Sequence, residues 1–235
     1  TARVGRFEMQ GRRPTMEDRS VCGVLRWRCG GDAACAAVFD GHGGPVVATM
    51  AAAYVKRAIH AMRSAQPDAT SSALSPADGA REAEATAASA EAWALELARG
   101  AEVEVCDVEG WAQGATAVIA CVTPRALGVA WLGDSLAVLC RRRPASAEGG
   151  PLVAEVLTPA HRPERPDEAV RIHTAGGHVH ALTIPQDDGS EMPFGPPRAW
   201  SRDASGKRFG GLAVSRALGD IRLRPVVSGE PEAAS

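Results

Sequence analysis

The chain lacks an excess of either charge: 26 Lys and Arg stand against 28 Asp and Glu, for a formal net charge of -2. It has no block of basic residues, so nothing in it marks a nucleic-acid partner. It lacks an apolar run long enough to span a bilayer, because the apolar residues that follow Pro45 are broken by Lys56 and Arg57. It lacks a C-x-x-C pair among its cysteines, Cys22, Cys29, Cys35, Cys106, Cys121 and Cys140, so no zinc site is expected. Cys121 and Cys140 sit in apolar, strand-like runs and read as reduced core residues. That places the expected compartment inside the cell, cytoplasmic or nuclear. No internal repeat is present. What remains is 235 residues, 45% hydrophobic and 23% charged, suited to one large globular domain over residues 1–235 or to two small ones.

The most informative stretch is Ala36-Ala37-Val38-Phe39-Asp40-Gly41-His42-Gly43-Gly44. A short apolar run has the character of a buried strand. Asp40 stands where that strand leaves the core, held rigidly yet within reach of solvent. The glycines after it allow a tight turn and bring backbone carbonyls close to a ligand. A carboxylate beside an open carbonyl suits a hard cation such as Mg²⁺ or Mn²⁺. His42 can serve as a proton donor next to that cation. The same residues also fit a plain strand-to-helix loop with an aspartate N-cap, and alone they do not decide between the two.

Val4 to Gln10 reads as a first strand and Val21 to Leu25 as a second. Cys29-Gly30-Gly31-Asp32 is a hairpin signal leading into the strand that ends at Asp40. Glu17, Asp18 and Asp40 are therefore expected near one another at the ends of paired strands. After Pro45, Val47, Met50, Ala51, Tyr54, Val55, Ala58, Ile59 and Met62 recur at helical spacing. Residues 64–78 turn to Ser, Ala, Pro and Asp and read as a flexible insert. Gly79 to Arg99 is a second helix with Ala90, Trp93 and Leu97 as its apolar stripe, and Gly100 to Gln113 is ambiguous. Strands follow at Ala115–Val122, Ala126–Leu132, Leu136–Cys140 and Leu152–Leu157, joined by short turns and so antiparallel. Pro163 to Thr174 is a short helix stopped by Gly176-Gly177. His178 to Leu182 is strand-like. Residues 184–207, rich in Pro, Gly, Asp and Ser, read as a long exposed loop. The order of elements predicts an α+β fold, with two antiparallel sheets packed as a β-sandwich and helices outside.

Six stretches, in order, resemble one family. Gly11-Arg12-Arg13-Pro14-Thr15-Met16-Glu17-Asp18 resembles its "GxRxxMED", and Asp40-Gly41-His42-Gly43-Gly44 its "DGHGG". Gly114-Ala115-Thr116-Ala117 resembles "G(S/A)TA". Gly133-Asp134-Ser135 resembles "GDSR", with Leu136 in place of the arginine. Leu157 to Gly177 resembles "LTxDHKP…E…RI…GG", and Leu212 to Asp220 resembles "LAVSRALGD". The chain thus resembles the PP2C-type (PPM) metal-dependent protein serine/threonine phosphatases. The resemblance implies a β-sandwich flanked by helix pairs, with two Mn²⁺ or Mg²⁺ ions at one end. Asp40 would bridge the metals, the Gly41 carbonyl would bind one, and Glu17 and Asp18 would hold their waters. Arg13 would grip the substrate phosphate with its forked donors. His42 would protonate the leaving hydroxyl, and Asp134 matches a position linked to a third metal. Arg216 and Asp220 read as a turn and ion-pair set. The implied partner is a phosphoprotein substrate; the sequence does not give the oligomeric state, and a monomer is the default.

The metal-assisted hydrolysis that the resemblance implies needs no cysteine nucleophile. The family pattern continues with a "DGLWD" segment and a "DN" pair, and neither occurs in this sequence. The expectation is a domain incomplete at its C-terminal end, with weak metal binding and little activity in these 235 residues by themselves. A non-catalytic binding module of the same fold is the alternative. Residues 184–207 correspond to a flap-like insert beside the site, expected to influence the choice of substrate or partner.

Overall fold

A computed structural model describes residues 3–26, 31–64, 79–106, 112–142 and 150–235. Its centre is a five-stranded antiparallel sheet. The strands are β1 (Arg19–Arg26), β2 (Asp32–Phe39), β5 (Ala117–Val122), β6 (Leu127–Leu132) and β13 (Glu232–Ala234), in the order β1-β2-β5-β6-β13. Alternation decides which face each side chain joins. Ala33, Cys35, Ala37 and Phe39 of β2, Ala117, Ile119 and Cys121 of β5, and Ala130 and Leu132 of β6 all enter one core. Cys35 and Cys121 are register partners whose sulfurs lie 3.8 Å apart.

Helices α1 (Val46–Ser64) and α2 (Gly79–Val105) cover that face. Val47, Ala51, Val55 and Ile59 supply the buried stripe of α1, and Trp93, Leu97, Ala101 and Val105 that of α2. The stripe of α2 continues past Arg99, which carries the helix into the ambiguous region as far as Val105. The other face of the sheet buries Val118, Val129 and Trp131 against Ala137 and Leu157, which flank the hairpin of β7 (Val138–Arg142) and β8 (Leu152–Val156). Cys140 lies on β7 but is exposed, so its reading as a core residue is corrected: an edge hairpin of two strands has a face that nothing in the described chain covers.

A second unit packs α3 (Pro166–Thr174) against a sheet ordered β11-β10-β9, made of β9 (His178–Pro185), β10 (Glu191–Arg202) and β11 (Arg208–Leu212). The long loop expected over 184–207 is therefore mostly strand. The Gly195-Pro196-Pro197 run hides it in the sequence. The register shifts between Phe194 and Arg198, so the prolines sit at an irregularity where no ladder donor is needed. The helix begins at Pro166, three residues later than expected, with Pro in its first turn.

The first expected strand, Val4 to Gln10, makes no ladder among the described residues. It runs beside the start of β1, where Glu8 accepts hydrogen bonds from the Ser20 amide and hydroxyl at 2.8 and 2.6 Å. The insert expected at 64–78 lies almost wholly outside the described residues, as do Cys29 and Gly30 of the first hairpin. No helix of the described residues is long and apolar enough to cross a membrane.

Candidate active site

The register Arg19↔Phe39 places Asp18 and Asp40 side by side, each one residue beyond the last pair of the β1–β2 hairpin. Phe39 is fully buried and anchors the strand end, while Asp40 is exposed. Loss of hydration raises the Asp40 carboxyl above the ordinary carboxylate range. The charge of Asp18, near enough to share a proton with it, acts in the same direction, as does Asp134 more weakly. Glu17 joins through the backbone: a Cβ built on Gly41 would lie 2.6 Å from the Glu17 carbonyl oxygen. The sequence expectation that Glu17, Asp18 and Asp40 meet at strand ends is matched by this geometry.

A small three-stranded sheet then carries His42. β3 (Gly41–His42), β4 (Gly114–Ala115) and β12 (Leu218–Gly219) are ordered β12-β4-β3. His42 pairs with Gly114, and Gly114 pairs with Gly219, so the three residues stand in one row. Asp220, the next residue after Gly219, is 2% exposed and has a left-handed φ of 49°. Its amide donates to the Gln113 carbonyl at 2.9 Å. Its carboxylate Oδ2 lies 2.7 Å from His42 Nε2. A Cβ on Gly114 would collide with both members of this pair, which is the physical reason that glycine opens the Gly114-Ala115-Thr116-Ala117 stretch. Burial works against a charged imidazole at His42. The Asp220 carboxylate, helped by Asp40 and Glu17, outweighs it and holds the pKa above the usual histidine value.

Asp220 is thus a site residue that the sequence reading assigned to a turn. It does form a turn, but its side chain points inward to a residue 178 positions away in the chain. Arg216 is the ion-pair residue it was expected to be, holding Glu168 at 2.6 Å and Glu232 at 3.0 Å.

Asp134 follows the buried Gly133, whose amide donates to His161 Nδ1 at 3.1 Å. Its own carboxylate pairs with Arg162 at 3.2 Å. Arg13 is exposed on the 11–15 turn, and among the described residues no hydrogen bond or ion pair holds its guanidinium. The structure therefore gathers Glu17, Asp18, Asp40, Gly41 and His42, sets Asp134 beside them with a cation of its own, and leaves Arg13 untethered.

A tighter trio of carboxylates, Asp167, Glu168 and Glu232, has oxygens within 4.8 Å of one another. Arg165, Arg171 and Arg216 neutralise it, so it is an ion-pair node. Asp18 and Asp40 have no such cations among the described residues. Two close carboxylates, each with oxygen donors free, are the donor set a hard divalent ion requires.

The family model for protein phosphatase 2C matches residues 2–235. Protein phosphatase 1F of Mus musculus is 33% identical over 199 residues, covering 85% of this chain and 33% of that protein. Probable protein phosphatase 2C 30 of Oryza sativa subsp. japonica is 41% identical over 119 residues, covering 51% of this chain and 22% of that protein. The chain spans about a third or less of the length of these relatives. Among solved structures, serine-threonine phosphatase 2C from Toxoplasma gondii shares the fold. Its TM-score is 0.66 at 21% identity, over 94% of this chain and 69% of that one.

Proposed function

Since the chain belongs to the protein phosphatase 2C family, we propose that it carries the site of a metal-dependent protein phosphatase that hydrolyses phosphoserine and phosphothreonine. The observation that carries this reading is the pair of strand-end carboxylates, Asp18 and Asp40, set side by side by the β1–β2 register and lacking a cation of their own among the described residues. Asp40 and the Gly41 carbonyl would hold the ions directly, and Glu17 and Asp18 through their waters. Two Mn²⁺ or Mg²⁺ ions would supply positive charge against the phosphoryl oxygens and acidify the attacking water. Asp134 would hold a third ion only weakly, because Arg162 already neutralises it.

The chain's own groups do the rest. Arg13, whose guanidinium has no partner among the described residues, offers parallel N–H donors to two phosphate oxygens. His42 gives a proton to the departing serine or threonine oxygen, a poor leaving group that needs one. Its Nε2 is committed to Asp220, which leaves Nδ1 as the ring nitrogen available to deliver the proton. Asp220 fixes the ring's orientation and favours the cationic form that has a proton to give.

Replacing Asp40 with alanine tests the reading. Phosphopeptide turnover is expected to fall on the order of a thousandfold or more, because metal charge contributes several kcal/mol to such barriers. Manganese affinity, followed by calorimetry, falls with it, and the circular dichroism spectrum stays unchanged. Undiminished hydrolysis in this variant would refute the proposal. A protein that takes up manganese and phosphopeptide yet hydrolyses none would support the binding-module alternative.

A further inference from the structure

The β9–β10–β11 sheet has two chemically opposite faces. Val179, Ala199, Phe209 and Leu212 point inward and pack with Ile172 of α3. The register pairs His178 with Trp200, His180 with Arg198, and Arg202 with Arg208. Alternation sets all of these side chains on the other face, toward solvent. Where β9, β10 and β11 all run together, that face bears guanidiniums, imidazoles and an indole and, among the described residues, no carboxylate; the exposed apolar Leu182, Ile184, Met192 and Phe194 lie further out, toward the β9–β10 turn.

The basic groups there are paired with imidazoles and carbonyls, not with carboxylates. Arg202 Nε donates to His178 Nε2 at 2.9 Å, and its Nη1 to the Gly206 carbonyl at 2.8 Å. Arg208 Nη1 lies 2.9 Å from His180 Nε2, and His180 Nδ1 donates to the Ala181 carbonyl at 2.9 Å. Arg198 Nη1 donates to the Gly211 carbonyl at 2.7 Å. Among the described residues no acid pairs with Arg198, Arg202 or Arg208. The one nearby, Asp203, turns its Oδ1 to the amides of Ser205 and Lys207. The field of this cluster shows at His178. Some loss of hydration and then the charges of Arg202, His173, His180 and Arg208 hold its pKa below the ordinary histidine value. Hydrogen bonds to imidazoles and carbonyls fix the guanidiniums in place without neutralising them, so the face is pre-organised to take anions.

We propose that this face is a docking surface for an acidic, Asp- and Glu-rich segment of the phosphoprotein substrate. The assignment rests on the phosphatase reading above for the identity of the partner, and on charge complementarity for its chemistry. A nucleic-acid strand fits less well, because base stacking needs an open aromatic face. Trp200 already has the His180 ring stacked on it at 5.0 Å and 12°, with the Arg208 guanidinium 5.9 Å from its centroid. The surface is also wired to the site, since β11 runs directly into the 212–220 segment that ends at Asp220.

The test uses fluorescent phosphoserine peptides flanked either by Glu or by Gln, titrated against the metal-free protein. The Glu peptide is expected to bind about tenfold tighter at low salt, with the advantage erased at high salt by screening. The double substitution R202E/R208E removes the advantage, and the milder R202Q/R208Q does so should the first variant misfold. With manganese present, both variants hydrolyse a small aryl phosphate at the wild-type rate and lose the preference for the acidic peptide. Equal binding of the two peptides, or a preference that survives both double variants, overturns the proposal. So does tighter binding of a poly-uridine strand that the same substitutions abolish. Binding is read without turnover, so a protein that captures the Glu peptide yet hydrolyses nothing would sink the phosphatase reading alone.

Discussion

At the scale of single residues, the site depends on who neutralises whom. Glu168 is a buried carboxylate satisfied by arginines, Asp134 has one cation, and Asp18 and Asp40 have none among the described residues. Asp220 belongs to a different category: it is spent on His42. Asp220→Asn keeps the shape and removes the charge. It is expected to lower kcat on a phosphoserine peptide by roughly a hundredfold, in line with the worth of a general acid. The loss on an aryl phosphate, whose leaving group needs less help, should be much smaller, so the ratio of the two rates reads the role directly. Equal losses on both substrates would show that Asp220 serves only the fold. The local residues of the site were legible from Asp40-Gly41-His42 and Glu17-Asp18, because strand ends and glycines mark them. Asp220 was not, because no local pattern announces a contact made across the whole chain.

At the scale of elements, small side chains let layers approach. Gly128 on β6 lies against the backbone of Ala90 and Glu91 in α2, and a Cβ there would collide with it. Gly128→Ala should push α2 off the sheet and cost about 1–3 kcal/mol, as overpacking does. A lowered urea midpoint at constant m-value would register it, and an unchanged midpoint would mean the helix has room to give. The two long helices and the strands of the central sheet were legible, since their periods of 3.6 and 2 are long and clean. β10 was not. Its prolines carry the signature of a loop, and only the bulge between Phe194 and Arg198 reconciles them with a strand. The misreading of Cys140 has a similar cause: an apolar run fixes the strand but not which face will be covered.

At the scale of the whole molecule, one ion-pair node ties α3 to the last described strand. Glu168, 1% exposed, takes Arg216 at 2.6 Å and Arg171 at 2.8 Å, and Arg165 and Arg216 continue to Glu232 of β13. Burial alone would raise the Glu168 pKa, but the hydrogen bonds from Arg216 and Arg171 win and hold it down to about 2. A carboxyl whose folded pKa lies below its unfolded value stabilises the fold above that unfolded value. The contribution should fade as pH falls from 4.5 toward about 2. Denaturant titrations across this window should show the loss. Glu168→Gln should flatten that acid limb and, by stranding half-buried guanidiniums, cost about 1–3 kcal/mol at neutral pH. Stability that is level across the window would show that the node contributes nothing.

The ribbon β3–β4–β12 has a consequence of its own. It stitches an early, a middle and a late part of the polypeptide into three adjacent rungs, and only the late part brings the partner of His42. Prying that last rung loose, by a cut or by a ligand wedged beneath it, would disarm the proton donor while the carboxylates at the mouth of the first hairpin stayed where they are. Ion capture and turnover would then come apart, leaving a loaded but silent protein.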